Sequence, residues 1–118
     1  MSDTIRSANK ELSPAERRAS IRHVCRLETL CQPADTEEPV QRWPATVCDI
    51  SLEGMGVLLG EPFKPGTILG VELTSSDETL EYTMFAKVMH IQELADGRWR
   101  AGCSFTRKLS DDELRSLL

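Results

Sequence analysis

The chain has 118 residues, of which 40% are hydrophobic, 28% charged and only 5% aromatic, and its formal net charge is −5. This length fits a single domain with a core of its own. The negative charge argues against general binding to nucleic acid or to an anionic membrane, because both favour a basic surface.

The chain starts with a polar segment, residues 1–12, that we expect to be flexible. Ser13-Pro14-Ala15-Glu16 then predicts the start of a helix, since serine can cap, proline suits the first helical turn and glutamate can close a capping box. A short helix or turn is expected to lead into a first strand over residues 22–31, where apolar and polar side chains roughly alternate.

Five further strands are predicted after a proline- and acid-rich loop at residues 32–41. They cover residues 43–50, 54–60, 67–73, 80–91 and 98–105. Six strands at this close spacing indicate an all-β fold, a six-stranded antiparallel β-barrel. Ser110-Asp111-Asp112-Glu113 is a second capping box, which predicts a short C-terminal helix packed on the barrel. We assign residues 13–118 to one domain.

Four arginines, at positions 17, 18, 22 and 26, stand close together with Glu16 as the one acid among them. A guanidinium is permanently charged and can form paired hydrogen bonds with a phosphate or with O6 and N7 of guanine. Arg18 and Arg22 are four residues apart, so they share a face in a helix and also in a strand. A local positive patch on a negative body suits a small anion better than a polymer.

A second motif, Asp49-Ile50-Ser51-Leu52-Glu53-Gly54, stands at the predicted end of the second strand. The Asp49 carboxylate can accept hydrogen bonds from guanine N1–H and N2–H₂, and the Ser51 hydroxyl can donate or accept beside it. Alternation along a strand places both side chains on one face. Gly54 permits a backbone conformation or a close approach that a side chain would prevent.

Together the two motifs resemble the signature of the PilZ domain, the bacterial receptor module for cyclic di-GMP. That signature is RxxxR followed by [D/N]xSxxG, and it stands here as Arg18-Ala-Ser-Ile-Arg22 and Asp49-Ile-Ser-Leu-Glu-Gly54. The resemblance extends over residues 17–118 and implies a six-stranded barrel with a C-terminal helix. It also implies that the arginines bind phosphates and guanine while Asp49 and Ser51 contact guanine.

An arginine just before RxxxR accompanies an intercalated ligand dimer in this family, and Arg17 holds that position. The resemblance therefore implies two cyclic di-GMP molecules per domain, with no other cofactor. Binding is expected to order the N-terminal segment, so that the bound form acts on a downstream partner protein. The expected site residues are Arg17, Arg18, Arg22, Asp49, Ser51 and Gly54.

The same residues admit two other kinds of binding protein. A ligand-independent PilZ-like adaptor would bind protein alone, but such members usually lack the signature residues that this chain keeps. A nucleic-acid-binding barrel would need a stacking face, for which Trp43, Tyr82 and Trp99 are candidates. Trp99 alternates with the apolar residues of its strand, which favours a place in the core. We expect neither a nucleic-acid polymer nor a membrane as partner.

Catalysis and metal binding are not expected. The pairs Ser20/His23 and His90/Glu93 lack a third group that would orient them. The four cysteines and two histidines have no zinc-binding spacing, so the thiols are expected to be reduced and packed as small apolar groups. No apolar run resembles a signal peptide or a membrane span, which favours a soluble, cytoplasmic protein.

Overall fold

The computed structural model describes residues 21–34 and 42–118. The strands in this part of the chain are β1 (His23–Pro33), β2 (Trp43–Ile50), β3 (Gly54–Leu59), β4 (Ile68–Thr74), β5 (Glu81–Glu93) and β6 (Trp99–Phe105), and the helix is α1 (Asp111–Leu117). The strands pair antiparallel and close a barrel in the order β1-β2-β3-β6-β5-β4. The predicted fold class, a six-stranded antiparallel barrel with a C-terminal helix, is confirmed.

Three of the predicted segments fall wholly or mostly outside the described residues: the flexible segment at 1–12, the helix start at 13–16 and the loop at 32–41. In the described part of that loop, Gln32 and Pro33 continue β1, so the first strand is longer than predicted. They lie opposite Gly70 and Leu69 of β4, where β1 and β4 close the barrel. Proline is tolerated there because it stands at the end of the strand.

The core fills the barrel with aliphatic side chains from all six strands, among them the fully buried Val47, Leu69 and Val88. Cys31 and Cys103 are also buried, and burial raises the pKa of Cys31 to about 11 and that of Cys103 to about 12. Both thiols therefore stay protonated and pack as small apolar groups. All four cysteines are free.

The three aromatic residues considered as a stacking face pack against this core instead. The Trp43 ring meets Phe63 edge-on at 5.4 Å between ring centroids, and its indole N–H donates to Glu61 at 2.9 Å. The Tyr82 hydroxyl is bonded to Ser116 of α1 at 3.1 Å. These contacts hold the rings in place against the barrel.

The helix α1 begins with the predicted capping box. The Ser110 hydroxyl accepts from the Glu113 N–H at 3.0 Å, and the Glu113 carboxylate accepts from the Ser110 N–H at 2.8 Å. Arg107 donates to both oxygens of that carboxylate at 2.9 Å, and this contact, with the capping bond, lowers the pKa of Glu113 to about 2. Leu114 and Leu117 of this helix are buried against the barrel.

Among residues 21–34 and 42–118, no helix has the length and apolar character needed to cross a bilayer.

A β-bulge in β2 decides which way its last residues face. The register of β2 against β3 shifts between Val47 and Asp49, so that Val47 and Ile50 are both fully buried although they are three residues apart. Strict alternation would have placed Asp49 on the same side as Val47. Instead Asp49 lies outside the core, on the outer face of the barrel, and an extra residue at Cys48 is the physical reason.

Candidate ligand-binding site

Arg22 and Asp49, which are 27 residues apart in sequence, meet on the outer face of the barrel. The Arg22 Nη1 donates to Asp49 Oδ1 at 3.0 Å. Arg22 immediately precedes β1, and Asp49 lies near the end of β2, whose last residues pair with the start of β1. The Arg22 side chain is 50% exposed and that of Asp49 15% exposed, so the arginine is the looser partner.

The Asp49 carboxylate is also held from the barrel side. The Gly56 N–H donates to Oδ1 at 3.1 Å, and the Arg100 Nη2 of β6 donates to Oδ2. Asp49 and Gly56 are register partners of β2 and β3, and Gly56 is in turn paired with Gly102 of β6. The carboxylate of this β2 residue is therefore fixed in place by groups from β3 and β6 and by Arg22, which precedes β1.

Two cavities open on this face, with volumes of about 300 and 360 Å³. Both are lined by Arg22, His90 and Gly102, so they adjoin. The first also contains Ser51 and Gly54, whereas the second contains Asp49 and Arg100. Each volume is at the lower end of the range for small-molecule sites, and together they form one concave surface that joins both sequence motifs.

Ser51 and Gly54 form the tight turn that carries the chain from β2 into β3. The Ser51 hydroxyl, which is 2% exposed, accepts from the Gly54 N–H at 3.2 Å, and the Ser51 N–H donates to the Gly54 carbonyl at 2.9 Å. Gly54 pairs with Ser104 so closely that a Cβ on Gly54 would collide with the Cys103 carbonyl. Glycine is required there because no side chain fits between β3 and β6.

The same turn is bonded to the segment that leads into α1. The Leu109 N–H donates to the Leu52 carbonyl at 2.8 Å, and the Phe105 N–H donates to the Glu53 carbonyl at 2.7 Å. The Lys108 ammonium lies 3.3 Å from the Glu53 carboxylate. The wall of the cavity and the entry to the helix are thus joined directly.

Of the six site residues predicted from sequence, four line the cavities: Arg22, Asp49, Ser51 and Gly54. The other two, Arg17 and Arg18, lie outside the described residues. The structure brings the residue before β1 and the end of β2 together at one concave surface.

A model of the PilZ domain family matches residues 16–118, which is most of the chain. The chain belongs to the PilZ domain family. A solved structure, the Bacillus subtilis inhibitor of motility MotI/DgrA, is similar to 82% of this chain with a TM-score of 0.60 and 20% sequence identity. The similarity covers 46% of that protein, so the chain spans about half of its length, and it shows a shared fold. A search of curated proteins finds none that matches.

In this PilZ domain, two polar residues of the site were missed by the sequence analysis: Arg100 of β6 and His90 of β5. The His90 ring lies directly over Gly102, where a Cβ would collide with it. Arg100 does alternate outward on its strand, which was visible in the sequence. Nothing in the local sequence indicated that only β3 would separate β6 from β2, the strand of Asp49. Among the described residues there is no group of three or more His, Cys, Asp or Glu that could hold a metal ion.

Proposed function

We propose that this PilZ domain is a receptor for cyclic di-GMP, which it binds on the outer face of the barrel through Arg17, Arg18, Arg22, Asp49, Ser51 and Gly54. The bound form then acts on a downstream partner protein, and no catalysis is involved. The observation that carries the proposal is the meeting of Arg22 and Asp49, 3.0 Å apart, at a concave surface that also contains the turn of the second motif.

The ligand needs both charges of this pair. Its two phosphates are anionic and suit the Arg22 guanidinium, while its guanine N1–H and N2–H₂ suit the Asp49 carboxylate. Before binding, Asp49 pairs with Arg22, whose side chain is half-exposed, and an ion pair that is open to solvent contributes only about 0–1 kcal/mol. Exchanging this contact for two charged contacts with the ligand is therefore favourable.

Ser51 and Gly54 have a supporting place in this proposal. The Ser51 hydroxyl bonds across the turn, and Gly54 allows β3 to approach β6. They keep the cavity wall beside Asp49 in a fixed shape, and Ser51 also lines the cavity that would receive the ligand. A preformed wall lowers the entropy cost of binding.

The proposal predicts a measurable difference between two arginines of the same segment. Arg22→Ala should weaken binding of cyclic di-GMP by about 1–3 kcal/mol, because one charged, paired contact is lost. Arg26→Ala is the matched control: Arg26 lies four residues further along, its side chain is 82% exposed, and its Nε bonds Glu28 rather than Asp49. Calorimetric titration of the three proteins measures the affinities, which should also fall as salt is added.

Two results would contradict this function. If the parent protein gave no heat at tens of micromolar ligand, the domain would be better explained as a ligand-independent adaptor that binds protein alone. If Arg22→Ala and Arg26→Ala bound alike, Arg22 would have no role in recognition.

The stoichiometry gives a separate prediction. With Arg17 immediately before the RxxxR motif, we propose that an intercalated pair of cyclic di-GMP molecules occupies each domain, and that their four phosphates draw the N-terminal arginines onto the barrel. Arg17→Ala is then expected to reduce the count from two ligands to one. The molar ratio at the end point of a titration measures this, and a ratio of two in the variant would refute the assignment to Arg17.

A further inference from the structure

The feature that the proposed function does not use is the contact between Arg100 and Asp49. The two residues are 51 positions apart, and Arg100 belongs to neither sequence motif. Its Nη2 donates to Asp49 Oδ2, whereas Arg22 donates to Oδ1. One carboxylate is thus shared by two guanidiniums on a surface that the ligand would cover.

The Arg100–Asp49 pair is fixed more firmly than the Arg22–Asp49 pair. It passes directly over Gly56, where a Cβ would lie 2.7 Å from both Arg100 Nη2 and Asp49 Oδ2. Arg100 lies on β6 opposite Leu58 of β3, and its side chain is 38% exposed against 50% for Arg22. When a ligand enters, Arg22 is therefore the partner that leaves Asp49, and Arg100 is the partner that stays.

Once Arg22 has left, the Asp49 carboxylate and the Arg100 guanidinium form an acceptor beside a donor in one fixed place. The Asp49 carboxylate, freed from Arg22, has an oxygen lone pair to offer to N–H groups, and the guanidinium of Arg100 offers N–H groups next to it. Guanine carries the complementary pattern on one edge: O6 accepts, and the adjacent N1–H and N2–H₂ donate. Adenine carries an amino donor and a ring-nitrogen acceptor at the corresponding places, which would face Arg100 and Asp49 with like against like.

We propose that Arg100 is a specificity-determining residue, which with Asp49 selects guanine over adenine in the cyclic dinucleotide. This inference rests on the proposed function. Arg100 contacts O6 of the base, and Asp49 contacts N1–H and N2–H₂. Adenine is rejected because its amino group would face the Arg100 donors and its ring nitrogen N1 would face the Asp49 carboxylate, so that neither contact forms a hydrogen bond.

The test uses three cyclic dinucleotides and two arginine variants of the full chain. Cyclic di-GMP and cyclic di-AMP give the guanine preference. Cyclic di-IMP keeps O6 and N1–H but lacks the 2-amino group, so its weaker binding reports on Asp49. Arg100→Met removes every donor while keeping the aliphatic stem. Arg98→Met is the matched control, since Arg98 lies two residues earlier and bonds Asp96 of the turn.

In Arg100→Met the ratio of affinities for cyclic di-GMP over cyclic di-AMP should fall by about tenfold or more, the scale of one good arginine–guanine contact. The ratio of affinities for cyclic di-GMP over cyclic di-IMP, which measures the loss of the 2-amino group, should stay as in the parent. Arg98→Met should match the parent in both. Arg100→Lys, which keeps a charge and a donor but not the planar fork, should lie between. Unfolding by urea checks that each variant is folded.

Three results would overturn the inference, and they are distinguishable. If the parent does not bind cyclic di-GMP, the proposed function fails and this inference fails with it. If the parent binds and Arg100→Met keeps the same guanine preference, only the inference about Arg100 fails. If the 2-amino penalty disappears in Arg100→Met, Arg100 acts by orienting Asp49 and does not contact the base.

Discussion

Replacing Asp49 with alanine is expected to weaken cyclic di-GMP binding by about 2–3 kcal/mol, the largest loss among single substitutions in the site. In the proposed site this carboxylate is the acceptor for guanine, and hydrogen bonds to charged groups contribute roughly 1.5–3 kcal/mol each. Removing it also leaves Arg22 and Arg100 facing each other without the anion between them. Calorimetric titration measures the change, which corresponds to roughly 30- to 150-fold in Kd.

An opposing effect is smaller. Without Asp49 the site gains a net positive charge, and this would attract the phosphates more strongly. Exposed charge pairs contribute only about 0–1 kcal/mol, so the gain does not offset the lost guanine contact. Asp96→Ala is the control, because Asp96 is also paired with an arginine but lies on the turn before β6. Binding by Asp49→Ala within twofold of the parent would remove this residue from the site.

Replacing Gly54 with alanine is expected to lower the free energy of unfolding by roughly 3 kcal/mol. The added methyl group would collide with the backbone carbonyl of Cys103, which cannot rotate away as a flexible side chain could. The strands β3 and β6 must then separate, which weakens the bond between Phe105 N–H and the Glu53 carbonyl. The urea midpoint, followed by circular dichroism, measures the loss.

Gly60→Ala is the matched control for this substitution. Gly60 follows β3 directly, and apart from its own backbone and its two chain neighbours no heavy atom lies within 4 Å of the place where its Cβ would be. The same change of residue there should leave the midpoint unchanged or slightly higher, because alanine restricts the unfolded chain. Equal midpoints for the two variants would show that the close approach of β3 to β6 does not determine the stability cost of a side chain at Gly54.

The sequence predicted the strands because alternating side chains and turn residues are local signals. The six strands lie close to their predicted places, and the capping box of Ser110 and Glu113 is present as expected. The two motifs also predicted that Arg22 and Asp49 would lie near each other, and the structure places them in contact, although their ion pair was not foreseen. Each of these features depends on residues close together in sequence or on a family resemblance.

What the sequence did not reveal depends on pairing between distant strands. The bulge at Cys48 interrupts the alternation of β2, and no residue type at that position predicts an extra residue in the strand. Arg100 is beside Asp49 only because β6 pairs with β3, although the two strands are far apart in the chain. Strand order follows from how the whole barrel packs. The local sequence of β6 therefore does not predict which residues of other strands lie beside its outward side chains.

The bonds from Leu109 to Leu52 and from Phe105 to Glu53 join the turn between β2 and β3 to the segment that leads into α1. Any ligand that displaces the Ser51–Gly54 turn must stretch these bonds or carry the helix entry along with it. Ligand occupancy and helix position are then linked equilibria, and the linkage acts in both directions. A molecule that binds α1 and holds it in one position would change the domain's affinity for the ligand by some factor. The ligand would change the domain's affinity for that molecule by the same factor.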